Sequence, residues 1–284
     1  MNIHNKVLLH MHIAALLLGG TALFSKLIPY AAWDIIAYRT LICGLTVFIV
    51  ALLFKQKLRI STLPVFLLLV FCSMLFTVHW TAYFQAMQLS TVAIGMISMF
   101  TFPVMTVFLE PLINKTRLHK ADILMGLLVM LGVFMIVPDF TLENNVTAGV
   151  LFGLLSALAV ALRNILVSKH LSDISPFTIM FYHAMVSAAI LLPFASVSPV
   201  EIKTPDLLAL ILLGTVFTAI PHTQKTYALR YRSAKSVSMV ISLQVVYGSL
   251  FAYLLLREGI GFNTLLGGGI ILFAALYESV FAKH

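Results

Sequence analysis

Polar residues punctuate this chain rather than alternate along it. Unbroken apolar blocks of about 18–24 residues are separated by short stretches of charge and turn formers, each block matching the roughly 20 residues a helix needs to cross a bilayer. The separators include Lys55-Gln56-Lys57-Leu58-Arg59, Asn114-Lys115-Thr116-Arg117, Pro138-Asp139, Ser175-Pro176, Ser198-Pro199 and Thr204-Pro205. The blocks lack the in-out alternation of a membrane barrel. A helix satisfies its own backbone in lipid, so helices are predicted throughout. The predicted spans cover about 7–28, 33–54, 63–86, 91–113, 121–138, 148–168, 176–197, 206–229, 235–256 and 262–281.

Composition sharpens this picture. The 284 residues are 61% hydrophobic and 10% charged, with mean hydropathy +1.04, whereas a soluble domain is about 25% charged. That excludes a soluble enzyme and a nucleic-acid-binding module, despite a formal net charge of +8. Cys43 and Cys72 fall inside apolar blocks, so neither a disulfide framework nor a zinc motif is predicted. The first block is long enough to span and lacks the short apolar core and small-residue cleavage site of a removable leader.

Basic residues orient the predicted bundle. With the N-terminus in the cytoplasm, about twelve (Lys6, Lys55, Lys57, Arg59, Lys115, Arg117, Lys120, Lys169, Arg230, Arg232, Lys235, Lys283) fall on that side, and about three (Lys26, Lys203, Arg257) fall opposite. Both termini are therefore expected in the cytoplasm, and the protein in the inner (plasma) membrane as a multi-pass chain. Asn145-Val146-Thr147 is a formal glycosylation sequon, but it lies so close to the membrane that it reads as chance.

The two halves repeat each other. Ala32 to Arg39 aligns with Pro176 to His183, so that Tyr38-Arg39 meets Tyr182-His183; Ser25-Lys26 meets Ser168-Lys169, and His79-Trp80-Thr81 meets Pro221-His222-Thr223. In the same register Pro103 falls on Val245, Thr116 on Glu258 and Gly126 on Gly267. Five spans per half is an odd number, so the second half enters the membrane from the opposite side. The predicted fold is thus an all-α membrane protein of ten helices, built as two inverted five-helix repeats over residues 1–140 and 141–284. Such repeats support alternating access to a site near the membrane midplane.

The order of several short motifs resembles the drug/metabolite transporter superfamily, specifically its EamA-type ten-helix members. They are Gly19-Gly20-Thr21-Ala22-Leu23-Phe24-Ser25-Lys26 in the first span, Arg39 in the second, and Tyr83–Ala86 running on to Ala93 and Pro103. In the second half, Leu254-Leu255-Leu256-Arg257-Glu258 precedes Gly267. The resemblance covers nearly the whole chain. It implies a central cavity and transport of small metabolites or amino acids, often outward, with Arg39, Pro103 and Glu258 in gating or structural roles. Two positions depart from the pattern: Thr116 stands where the first repeat usually has a glutamate, and Val245 where the second usually has a proline, so span 9 is expected to kink less than is usual in the family.

Ionisable groups inside a membrane are costly and usually face partners or water. Here they are Arg39, Arg163, Lys225, His79, His183 and His222, with no equally central carboxylate. Lys225 sits nearer the cytoplasmic face and reads as snorkelling toward it. The positive polarity favours an anionic or zwitterionic substrate. The expected pocket residues are His79, Trp80, Tyr83, Arg163, Tyr182, His183, His222, Gln244 and Tyr247, with Ser98 and Thr101 as further polar neighbours; each is equally compatible with helix packing. His79 and His222 are proton-coupling candidates, since histidine titrates near neutral pH. Gly149, Gly153, Ala157 and Ala161 form a small-residue ridge for close helix approach, read as packing within one chain, so a monomer or weak dimer is expected.

No HExxH, GxSxG or P-loop is present, and no cofactor, metal or catalytic residue is expected. The sequence therefore reads as a secondary-active exporter of a small anionic or zwitterionic metabolite such as an amino acid. Two alternatives stay open: an importer or exchanger of a phosphorylated or amine-bearing molecule, and an intramembrane lipid-modifying enzyme.

Overall fold

The computed structural model describes residues 3–60, 62–115, 120–136, 143–228 and 240–281. Thr116, Arg117, Pro138, Asp139, Arg230, Arg232, Lys235 and Lys283 lie outside them. The described residues are helical and contain no strand. The elements are α1 (Ile3–Thr21), α2 (Phe24–Leu27), α3 (Ala32–Leu53), α4 (Leu63–Leu89), α5 (Val92–Met99), α6 (Phe102–Asn114) and α7 (Lys120–Ile136). The second half supplies α8 (Asn145–His170), α9 (Pro176–Leu191), α10 (Thr204–Gly214), α11 (Ile220–Ala228), α12 (Leu243–Leu256) and α13 (Phe262–Phe281). Seven described segments are long and apolar enough to cross a membrane, and Ile123–Ile136, Leu243–Leu256 and Phe262–Ala274 are shorter apolar helices.

Together these form ten membrane segments, because α1 with α2, α5 with α6, and α10 with α11 are broken single spans. The breaks have local causes. Pro103 is the second residue of α6 and cannot donate a hydrogen bond, and the backbone tightens there through an i→i+3 bond from Thr101 N to Ser98 O (3.3 Å). In span 8 a π-helical turn, Thr215–Ala219, separates α10 from α11 just before Pro221. That proline cannot donate to the carbonyl of Phe217, and the Thr21 hydroxyl of α1 donates to it instead at 2.7 Å.

Span 9 is broken as well. Although Val245 replaces proline, helical pairing is interrupted at Ser242, and Val245 N donates to Ser242 O at 3.1 Å. The break stands in the register of Phe100 in span 4, so repeat geometry, not proline, sets it.

Packing between the halves obeys a two-fold exchange. α4 packs on α8 as α1 packs on α11; α5 packs on α8 as α1 packs on α12; α4 packs on α9 as α3 packs on α10. The pairs α3 with α9 and α7 with α13 each join equivalent spans of the two repeats. This is the contact pattern of two inverted five-helix repeats related by an axis in the membrane plane. On that axis a β-carbon added to Gly267 would lie 2.5 Å from the Gly132 carbonyl oxygen, and one added to Gly132 would lie 2.7 Å from that of Gly267. Only glycine allows the two backbones to meet so closely.

Outward faces carry large apolar residues at helical spacing: Leu45, Phe48, Ile49 and Leu52 on α3; Leu124, Leu127, Leu131 and Phe134 on α7; Leu151, Leu155 and Leu158 on α8. A stripe of that width is a lipid-facing surface. The small-residue ridge of α8 turns inward: Gly149 lies against Ser90 and Ala86, and Gly153 against Ser98 of the same chain.

Candidate functional site

A chamber of about 40 Å³ lies where the broken spans converge. Its wall includes Arg39 from α3, His79, Trp80 and Tyr83 from α4, His222 and Lys225 from α11, and Gln244 from α12, with Leu18, Thr21, Met99, Phe102 and Val160. The α4 residues share a face because positions three and four apart stack along a helix. The volume suits water rather than an organic solute, so this conformation leaves no room for a substrate at its centre.

Arg39 is 1% exposed. Its guanidinium carbon lies 5.0 Å from the ring centroids of both Trp80 and Phe84, which favours the cation through the ring quadrupole. Arg39 Nε and Nη1 have no hydrogen-bond partner among the described residues, and neither has Trp80 Nε1. Arg39 therefore lies in the chamber wall, away from any interface to which it could snorkel. Lys225 also turns to the chamber, its Nζ 5.9 Å from the Phe102 ring, which corrects its reading as a snorkelling residue. No carboxylate lines the chamber among the described residues.

His79 is oriented by α8. Its Nδ1 lies 2.7 Å from Ser156 Oγ, and that hydroxyl donates to the His79 carbonyl at 3.0 Å. Nδ1 therefore carries the proton and donates, which leaves Nε2 as the accepting nitrogen. His222 stands edge-on to Trp80 (5.6 Å, 76°) and to Phe76 (5.5 Å, 88°).

Arg163 and His183 form a separate buried cluster. Arg163 donates to His183 Nε2 through Nε (3.0 Å) and Nη2 (2.9 Å), and through Nη1 to Asn164 Oδ1 (3.0 Å). With Nε2 accepting, His183 carries its proton on Nδ1 and donates to Ser73 Oγ at 2.8 Å, and that hydroxyl donates to Leu69 O. Both ring nitrogens are thus used within the protein. Phe76 joins this cluster to the chamber: Arg163 lies 4.7 Å over its ring, and the ring contacts His79, Trp80, His183 and His222.

Of the sequence-selected residues, the fold brings His79, Trp80, Tyr83, His222 and Gln244 to the chamber, together with Arg39. It sets Arg163 and His183 behind it. Tyr182 packs edge-on against Phe66 and Phe181, away from the chamber, and Tyr247 packs with the Met11 and Ile241 cluster. The Ser98 and Thr101 hydroxyls donate to the carbonyls of Ile94 and Ser98. Phe76, Ser156 and Phe102 were not singled out in the sequence. Phe76 had a faint signal, four residues before Trp80; Ser156, inside the small-residue ridge, had none. Among the described residues no three His, Cys, Asp or Glu side chains converge to hold a metal ion.

One end of the bundle is laced together across the repeats. Asp34 accepts from Ser196 N (2.7 Å) and Ser196 Oγ (2.6 Å), Tyr30 donates to Asp206 (2.8 Å), and Tyr38 donates to the Val197 carbonyl. Glu258 accepts from Val92 N at 2.9 Å, capping α5 from the opposite repeat. Lys26 donates to the carbonyls of Gln88 and Ser90, closing spans 1 and 3 over the same end. Burial, and then the bond to Asp206, hold the Tyr30 phenol above its ordinary value, so it remains a donor at neutral pH.

Relatives agree with this architecture. An uncharacterized transporter of Archaeoglobus fulgidus is 25% identical over 195 residues, covering 69% of this chain and 70% of its own length. A second from that organism is 28% identical over 211 residues, 74% of each chain. The uncharacterized transporter YxxF of Bacillus subtilis is 21% identical over 176 residues, covering 61% of this chain and 56% of its own. A protein of known crystal structure shares the fold with a TM-score of 0.68 at 16% identity, over 97% of this chain and 96% of that one. The EamA-like transporter family matches residues 5–137 and again 147–279; with two inverted halves enclosing a central chamber, the chain belongs to that family and is a multi-pass membrane transporter.

Proposed function

We propose that the protein is a secondary-active exporter of a small anionic or zwitterionic metabolite, working by alternating access in the inner (plasma) membrane as a monomer or weak dimer. The observation that carries this reading is the polarity of the chamber. Arg39 and Lys225 face it and no carboxylate balances them among the described lining residues. In a low-dielectric interior an uncompensated pair of cations attracts an anion far more strongly than in water. Breaks in spans 1, 4, 8 and 9 surround the chamber and supply hinges for exchange between its two openings. The basic loops support cytoplasmic termini, which makes the laced end the outer one and the present conformation closed to the outside. Ridge glycines spent on contacts within the chain favour the monomer.

Proton coupling through His79 and His222 belongs to the same proposal, because both line the chamber and His79 Nε2 is free to accept. The test is reconstitution in liposomes. Purified protein is screened against metabolite anions by thermal shift, since a binder raises apparent stability, and binders are then assayed for counterflow. Stabilisation confined to organic cations would overturn the substrate class. Chemical conversion of a lipid without flux would overturn the carrier mechanism in favour of an enzyme.

A further inference from the structure

We infer that the chamber takes a net-anionic carboxylate with an apolar body and no amino group, its carboxylate held by Arg39 and by the indole Nε1 of Trp80. This rests on the carrier reading and narrows it. Arg39 and Trp80 are each 1% exposed, yet Nε and Nη1 of one and Nε1 of the other meet no acceptor among the described residues. Buried donors without an acceptor are rare and costly in folded proteins. Here they occur together, on two side chains in the wall of one chamber, the guanidinium carbon 5.0 Å from the indole ring centroid. The ring faces hold the guanidinium carbon in place, and the unpaired nitrogens remain for an oxyanion, whose lone pairs take several such bonds.

The amino group is excluded by what the wall lacks. An ammonium needs a carboxylate or a shell of acceptors when it leaves water. The chamber offers only neutral acceptors, on Thr21, His79, Tyr83, His222 and Gln244, and it also places Lys225 and Arg39 there, which repel a cation. Leu18, Met99, Phe102 and Val160 complete an apolar surface for the body of the ligand. At about 40 Å³ the chamber has room for water only, so the body of the ligand requires a wider conformation, whereas the donors are already in its wall.

Three probes share one ring and differ in charge: 3-phenylpropionate, L-phenylalanine and 2-phenylethylamine. Their effect on the melting temperature of the purified protein in detergent is titrated for wild type, Arg39→Gln, Arg39→Lys and Trp80→Phe. 3-Phenylpropionate is expected to bind about tenfold or more tightly than phenylalanine, and the amine not at all. Arg39→Gln is expected to weaken the anion by about tenfold or more, Arg39→Lys to restore part of that loss, and Trp80→Phe, which keeps a ring but removes the N–H, to weaken it severalfold. Should Arg39→Gln not fold, the Trp80→Phe titration decides. Phenylalanine binding as tightly as the anion, no shift with 3-phenylpropionate, or unchanged affinity in the variants would each overturn the inference. Counterflow separates it from the broader reading: carriage of phenylalanine or inorganic phosphate without any response to 3-phenylpropionate sinks this site and leaves the carrier standing, while flux of none of these with lipid conversion sinks both.

Discussion

At the scale of single residues, hydrogen-bond partners divide the buried histidines into two kinds. His183 has both nitrogens engaged, accepting from Arg163 and donating to Ser73, so it serves as a clamp for a buried cation. His183→Ala leaves the Arg163 guanidinium without that acceptor and is expected to cost about 1.5–3 kcal/mol, read as a lowered melting temperature in detergent. His79 is held through Nδ1 alone. His79→Gln keeps a donor to Ser156 but cannot take up a proton, so the response of flux to an imposed pH gradient is expected to disappear while ligand binding persists. A gradient response intact in both His79→Gln and His222→Gln would exclude coupling through the chamber histidines. The residue types were legible in the sequence as costly intramembrane groups; their division was not, because it depends on Ser73, Ser156 and Phe76, which carry no charge to draw notice.

At the scale of elements, the helix breaks matter more than the helices. Proline explains the break before α6, but the equivalent break before α12 forms without it. Val245→Pro removes one hydrogen bond, from Val245 N to Ser242 O, and is therefore expected to cost no more than about 1.5 kcal/mol; a loss of several kcal/mol in the melting curve would show that the two breaks are not equivalent. The α7–α13 crossing is the opposite case. Gly267→Val pushes a side chain into the Gly132 backbone, and overpacking of this kind is expected to cost about 1–3 kcal/mol, measurable as a drop in melting temperature. The register of the repeats matches Gly267 with Gly126, yet its neighbour in space is Gly132, about 1.7 turns further on; sequence alignment pairs equivalent positions, not touching ones.

At the scale of the molecule, the two repeats are joined at one end by side chains whose partners lie far apart in the chain. Asp34 reaches Ser196, Tyr30 reaches Asp206 and Glu258 reaches Val92. If this lacing is the outer gate, Asp34→Ala and Glu258→Ala are each expected to raise the rate at which an impermeant maleimide, added outside, labels Thr21→Cys in a background lacking Cys43 and Cys72. Unchanged labelling in both would show that the lacing does not limit access. Hydropathy, span length and internal repetition determined that this chain spans a membrane ten times as two inverted halves, because each is a local or self-comparing property of the sequence. Only the tertiary structure decided which charged side chains share the chamber. A residue's depth follows from its place along one helix, but its facing neighbour is set by how the five spans of one repeat cross the five of the other. Lys225 and Arg39 thus came to one wall while Arg163 and His183 were set behind Phe76.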